Sequence, residues 1–549
     1  MLKRTIFSMF LFAGLFAGQK VYADKYPRSQ ALTIHHYVFE LSLSDRTDEI
    51  FGLTSITVRF KERGVRSMRL DLLNATPQRM GKGMIVESVK LINGKTIPFT
   101  HVGDSLMLGW DDQIDVGTEW TFQVKYHGIP ADGLKIGPTQ FGSRSFFVEN
   151  WPNKARHWLP TIDHPSVKAT SEFIVKAPAH YKVVSNGLLM EESTINDSTK
   201  LTHWKQSVPV SCWLYVLGVS EFAVQYVGQV DGKSIETWVH PQNRDAGFFD
   251  FAEPTAEVVK FFSGYVGPYA YEKVANIQSP SIHGGMETSS AIFYGEDLIN
   301  GKRDVRLRNV VIHELAHQWF GNAVTESTWD DAWLSEGFAT YFTLLFIESA
   351  YGHDEYVEGL VKARKTVFDL YAKDTSFSII ADRTAELQPV TTGITYQKGA
   401  WFLHMLRERI GNDAFRKGIR SYYAAHFNGS ATTGDFRKEM ELASGQDLGV
   451  YFEQWLYHAQ NPKLKGTWSY DQKKRQVVIQ LEQFQSGEFV FDLPVQFTIH
   501  GLGQQKEVLT TVRMNTKKAT LAVPVDAKPT EVIIDPRHVL LAQMEFKRG

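Results

Sequence analysis

In "VVIHELAHQWFGNAVTESTWDDAWLSEGFATY", residues 310–341, two histidines stand four apart with a glutamate beside the first, and a second glutamate follows after eighteen more residues. On a helix His313 and His317 lie one turn apart and project from the same side, so two imidazoles reach one ion. Glu314 sits about 100 degrees around that helix from His313, close enough to face a water on the ion without ligating it. A catalytic zinc takes three protein ligands and keeps a further position open, so a third ligand has to come from elsewhere. Glu336 is the candidate. "GNAVTESTWDDAW" offers Gly, Asn, Thr and Asp for a reversal, and Ser335 is suited to cap a second helix that begins at Glu336 and runs through "GFATYFTLLF". Paired histidines also occur on packed helices without any metal; the spaced Glu336 is what favours an ion. Imidazole ligands favour zinc over calcium or magnesium, and Glu314, poised as a base, favours it over redox iron.

The chain of 549 residues is longer than one hydrophobic core usually grows, so several domains are expected. Lys3 and Arg4 precede an apolar run from Thr5 to Gly18, and Val21-Tyr22-Ala23 supplies small residues where a signal peptidase reads. The expectation is a signal peptide over residues 1–23 and an exported protein, periplasmic or extracellular. The alternative, an uncleaved anchor, needs a longer apolar run than this one, and no later stretch is long enough to span a membrane. Cleavage after Ala23 leaves 56 basic against 61 acidic residues, a surface with no feature that calls for nucleic acid as a partner. With Cys212 as the single cysteine, no intrachain disulfide is possible.

Periodicity divides the rest into three regions, a multidomain α+β organisation. Residues 24–231 alternate in short runs such as "FGLTSITVRF" and "SEFIVKAPAHYKVVSNG", which predicts a β-rich amino-terminal domain. Residues 232–462 carry helical patterns, among them "AEVVKFFSGYVG", "DEYVEGLVKARKTVFDLYAK" and "VYFEQWLYHAQ", which predicts a mainly helical catalytic domain. Residues 463–549 return to alternation in "RQVVIQLEQF" and "LPVQFTIH", which predicts a small carboxy-terminal domain resembling a β-sandwich.

The His-Glu-x-x-His pattern, eighteen residues and Glu, taken with "GGMET" at 284–288, "TYQKGAWFLHMLRERIG" at 395–411, "FEQWLYHAQNP" at 452–462 and "ARHWLPTIDHPSVKAT" at 155–170, resembles the zinc aminopeptidases of the M1 metallopeptidase family, gluzincins with a thermolysin-like catalytic domain. The resemblance implies that His313, His317 and Glu336 hold one zinc per chain and that Glu314 is the general base toward the attacking water. It also implies that the hydroxyl of Tyr396 hydrogen-bonds the developing oxyanion, and that the substrates are peptides with a free amino terminus.

An exopeptidase must also hold an α-ammonium, which calls for a carboxylate one residue's width from the metal. By resemblance that group is Glu287. Gly284 and Gly285 before it allow an extended substrate to approach the backbone, and Met286 lies with Trp151 and "QPVTTG" among the loops expected to shape the first-residue pocket. The sequence departs from the family in three ways. Thr288 stands where the family has Asn. In "FFVENWPNKAR" the places of two family polar residues are held by Glu149, a candidate second anion for the amine, and by Trp151, which makes the pocket more apolar or packs at a domain interface. The chain also reads as a short member without a helical carboxy-terminal domain, which implies a more open cleft. Competing readings are a zinc endopeptidase on the same fold, an epoxide hydrolase sharing the zinc site, and a non-catalytic binding protein. The intact set His313, Glu314, His317, Glu336 and Tyr396 speaks against the last.

Overall fold

Runs of alternating residues become strands wherever Gly, Asn or Asp supplies the turns between them. The computed structural model describes residues 26–381, 390–502 and 505–549, so the signal peptide expected over residues 1–23 lies outside the described residues. Leu32–Ser42 alternates buried and accessible positions and forms the middle of a seven-stranded sheet. It pairs antiparallel with Ile50–Phe60 and parallel with Lys168–Pro178. Its buried face packs Phe39 against Phe173 and Tyr215, with ring centroids 4.9 and 5.5 Å apart. Burying each such ring stabilises the fold by about 1.5–3 kcal/mol. A separate four-stranded sheet contains Arg144–Val148 and delivers Glu149 at the end of that strand.

The amino-terminal β region ends earlier than residue 231. Ala223–Val230 and Lys233–Val239 are a hairpin at the start of a five-stranded sheet that continues through Lys273–Ser279 and Ala291–Gly295 to Gly285–Met286 at its edge. A boundary at 231 therefore cuts a hairpin, and the change of sheet falls after Leu217–Ser220. The last strand of one sheet and the first of the next are alike in composition, and only their partners separate them. The helical region thus also contains a sheet. Lys273–Ser279 is buried at every residue and parallel to both neighbours, as expected for a strand covered on both faces.

Two helices carry the paired histidines and Glu336. Val305–His317 starts where the Asp304 carboxylate accepts from the Leu307 amide, satisfying one of the free amides of the first turn. Trp333–Tyr351 buries 14 of its 19 residues, the pattern of a helix surrounded by protein on all sides. It does not begin at Glu336 with Ser335 as cap: its N-cap is Ala332, and no side chain caps it. Ser335 lies inside the first turn, which frees its hydroxyl for another task. This helix crosses Gly399–Ile410 where two glycines meet. A Cβ on Gly337 would stand 3.0 Å from Gly399 Cα, and one on Gly399 would stand 2.9 Å from Gly337 Cα, so side chains at either position would force the helices apart.

Residues beyond Pro462 form a four-stranded sheet that includes Lys463–Asp471 and Gln476–Gln483 and a three-stranded sheet centred on Leu493–Leu502. Among the described residues no helix is long and apolar enough to cross a membrane. Cys212 is buried and free.

Candidate active site

The contact between the two central helices brings three side-chain atoms to one point. Nε2 of His313 and Nε2 of His317 are 3.1 Å apart, and Glu336 Oε2 lies 3.4 Å from the first and 3.3 Å from the second. Glu336 Oε2 is buried and, among the described residues, has no hydrogen-bond donor. His317 Nδ1 faces the Phe320 carbonyl at 3.1 Å and the Ser335 hydroxyl at 2.9 Å. A carbonyl only accepts, so Nδ1 carries a proton, and Nε2 is the nitrogen left to serve as a metal ligand. Three potential ligand atoms thus converge on one point. Tetrahedral zinc with bonds of roughly 2.0–2.1 Å separates its ligand atoms by roughly 3.3 Å, so His313, His317 and Glu336 fit that ion.

The electrostatics agree with a cation here. Burial opposes ionisation of Glu336, but the imidazoles of His317 and His313 outweigh it and hold the carboxyl at about 2. Burial also opposes charge on His317, yet the carboxylates of Glu287, Glu336 and Glu314 raise it to about 10. Glu314 and Glu287 form a second group with His317, their ligand atoms all within 4.8 Å of one another. Burial pushes both carboxyls up, and for Glu314 the nearby Glu287 adds to the rise. The Glu314 carboxylate occupies the space a Cβ on Gly285 would fill. This is a concrete reason for the glycine at 285, where an edge strand passes directly beside the helix carrying Glu314.

Tyr396 sits in a short π-helical turn, Ile394–Lys398, just before Gly399–Ile410. The close crossing at Gly337 and Gly399 lets its hydroxyl donate to Glu336 Oε1 at 2.7 Å, while its ring stacks on His313 with centroids 6.1 Å apart. Tyr396 thus stands over the three-atom site and holds the Glu336 oxygen that does not face the histidines. Replacing Tyr396 with Phe is expected to lower kcat by roughly 100-fold with little change in KM, the behaviour of a donor that acts at the transition state. Metal content measured beside the kinetics separates this from a supporting role toward Glu336, for which occupancy would fall in step with rate.

Several candidates assemble with these groups and one does not. Gly285 and Met286 form the sheet edge beside Glu314, with Gly284 just before them, and Thr288 turns its hydroxyl to the Ala291 carbonyl at 2.6 Å. Glu149 does not join Glu287: both its oxygens accept from Lys154 Nζ at 2.8 Å, and Lys135 lies 3.6 Å away. An anion already neutralised by two ammonium groups is a poor site for a third, which argues against Glu149 as the second anion for an amine. Trp151 packs edge-on against Trp213 and Trp329, with centroids 4.9 and 4.4 Å apart, which joins the amino-terminal domain to the turn before Glu336. Of "QPVTTG", residues 388 and 389 lie outside the described residues. Sequence reasoning missed Ser335 as a partner of His317, and also Lys168, whose Nζ donates to the Asn322 and Ala323 carbonyls at 2.8 and 3.0 Å. The second interaction clamps the amino-terminal domain to the turn that follows the histidine helix.

Comparison with known proteins matches residues 35–214 to the Peptidase M1 N-terminal domain and residues 251–455 to the Peptidase family M1 domain. Aminopeptidase A of Gloydius brevicauda is 27% identical over 457 residues, covering 78% of this chain and 47% of that protein. A glutamyl aminopeptidase of Rattus norvegicus is 28% identical over 393 residues, 68% of this chain and 41% of the relative. A protein named probable aminopeptidase 2 from Sulfurisphaera tokodaii is 30% identical over 396 residues, 68% of this chain and 48% of the relative. The chain spans about half the length of these relatives. The two matched regions together cover most of the chain and contain the β-rich domain and both helices of the three-atom site, and the chain belongs to peptidase family M1.

Proposed function

We propose that the protein is a zinc-dependent aminopeptidase that removes amino-terminal residues from peptides. The observation that supports this most directly is the pair of buried carboxylates, Glu287 and Glu314, within 4.8 Å of each other beside His317. Two like charges at that separation repel by roughly 3 kcal/mol at an effective dielectric near 20. A substrate α-ammonium at Glu287 relieves that repulsion and leaves Glu314 free to act as a base. Gly285–Met286 ends its sheet, so its outer edge offers main-chain groups to an extended peptide. In that pose Glu314 takes a proton from the attacking water and passes it to the leaving amine. Tyr396 turns its hydroxyl from Glu336 toward the oxygen on which negative charge grows. Zinc held by His313, His317 and Glu336 would supply Lewis-acid polarisation of the scissile carbonyl.

Some of the relatives are named for glutamyl substrates. Here Lys154, three residues after Trp151, and Lys135 are already paired with Glu149 and Asp132. With both ammonium groups engaged, neither is free to pair an acidic first residue, which favours a neutral one.

The test compares one short peptide in its free and acetylated forms. Wild type should cut the free form and leave the acetylated form nearly untouched. Glu287→Ala removes the partner of a desolvated ammonium and should cost about 2–5 kcal/mol, or on the order of 30-fold to several-thousand-fold in kcat/KM on the free peptide. Equal cleavage of both forms by wild type would replace this reading with a zinc endopeptidase.

A further inference from the structure

The loop that carries Glu287 is fastened to the histidine helix by two side-chain amides. Gln318 Nε2 donates to the Glu287 carbonyl at 3.0 Å, and Asn322 Nδ2 donates to the same carbonyl at 2.6 Å. Gln318 also uses its oxygen, which accepts from the Ser290 amide at 3.0 Å, so one side chain spans the loop from residue 287 to 290. Both amides are fully buried, at 0% exposure. The loop needs such a hold, because Ser290 has φ +64°, a left-handed conformation that a side chain disfavours. The far side of the loop is held as well: Asn186 Nδ2 donates to the Ser289 carbonyl at 2.7 Å, and the Ser290 hydroxyl accepts from the Gly187 amide at 2.9 Å.

The other ends of the two amides lead to a metal ligand. Gln318 directly follows His317, and the backbone N–H of Asn322 donates to the His317 carbonyl at 3.1 Å. Glu287 is therefore joined to the backbone of His317 through two side chains, with Lys168 bracing the turn from outside. We propose that Gln318 and Asn322 are positioning residues that fix the separation between the ammonium-binding carboxylate and the scissile carbonyl, and thereby set the enzyme's preference for a free amino terminus. The inference rests on Glu287 as the ammonium partner. Neither amide needs to touch substrate: each acts through the Glu287 carbonyl, and displacement of a reacting group by about 1 Å costs on the order of 100-fold.

The experiment uses full-length Gln318→Met, which keeps length and removes both hydrogen-bonding functions, and Asn322→Ser, which shortens the donor. Kinetics on the free and acetylated peptide are measured together with zinc content, melting temperature and the affinity of leucinamide by calorimetry. Each variant is expected to keep its zinc and to lose on the order of 10-fold to 100-fold in kcat/KM on the free peptide, mainly through KM. Leucinamide should weaken by a similar factor, and the ratio of free to acetylated cleavage should fall. A merely structural role predicts a lower melting temperature with that ratio and the leucinamide affinity unchanged, and this result overturns the proposal. If Gln318→Met does not yield folded protein, the ratio and affinity in Asn322→Ser decide alone. A wild type with no preference for the free peptide overturns the aminopeptidase reading itself and this inference with it, whereas an intact wild-type preference that survives in both variants overturns only the inference.

Discussion

Dialysis against a zinc chelator is expected to abolish peptide hydrolysis, and one equivalent of zinc per chain is expected to restore it. The expectation follows from Nε2 of His313, Nε2 of His317 and Oε2 of Glu336 held 3.1 to 3.4 Å apart. A Lewis acid at the scissile carbonyl contributes several kcal/mol, so its removal costs on the order of 1,000-fold or more. Stability should fall along with activity, since an ion bound only by the folded chain adds about 4 kcal/mol at a thousandfold excess over its Kd. Glu336→Gln should weaken zinc retention, because a carboxamide oxygen brings no charge to the ion and Glu336 Oε2 is the only carboxylate oxygen in the triangle. Elemental analysis of purified protein is the direct check. Full activity without a stoichiometric transition metal would remove the metal from the mechanism.

The parts of this site that were legible in the sequence are those fixed by local spacing. His313, Glu314 and His317 share one helix, and a helix converts an interval of four residues into a common face regardless of what surrounds it. Glu336 was legible because the intervening residues include a turn composition between two apolar helical runs. The start of its helix was not, because Trp333 and Leu334 are as buried as the residues that follow and the chain enters the helix through a 3-10 turn, Trp329–Asp331, rather than a polar cap. The five-stranded sheet was hidden for a related reason. Lys273–Ser279 and Ala291–Gly295 are buried throughout, and a short run covered on both faces shows neither the period of a half-exposed strand nor that of a surface helix. Glu149 shows the opposite limit. Its carboxylate is spent on Lys154 and Lys135, and the sequence around it gives no sign that these two ammonium groups fold onto it. Gln318 and Asn322 carried no sign of their role, since their partner lies in a loop some thirty residues away and is a backbone carbonyl, identical in every residue type.

Glu314, the proposed base, gives the second large effect. Glu314→Gln should lower kcat by about 100-fold to 10,000-fold while leaving zinc content unchanged, because the side chain of Glu314 lies outside the triangle of His313, His317 and Glu336. A carboxamide has nearly the same shape but cannot accept the proton of the attacking water. The variant should melt no lower than wild type, since it removes one of two repelling buried carboxylates whose ionisation burial already disfavours. Lost turnover with undiminished stability distinguishes a missing base from a damaged fold. Gly285→Ala approaches the same atom from the other side: its new Cβ would overlap the Glu314 carboxylate, so the base must swing away although its chemistry is intact. Both variants should therefore lose kcat and both should keep zinc, one through chemistry and the other through position. If Glu314→Gln turns over peptide within about threefold of wild type, a factor far below what a lost base costs, Glu314 is not the proton acceptor. The buried carboxylate that remains next to the site, Glu287, then becomes the candidate base, and a free amino terminus loses its reason to be required.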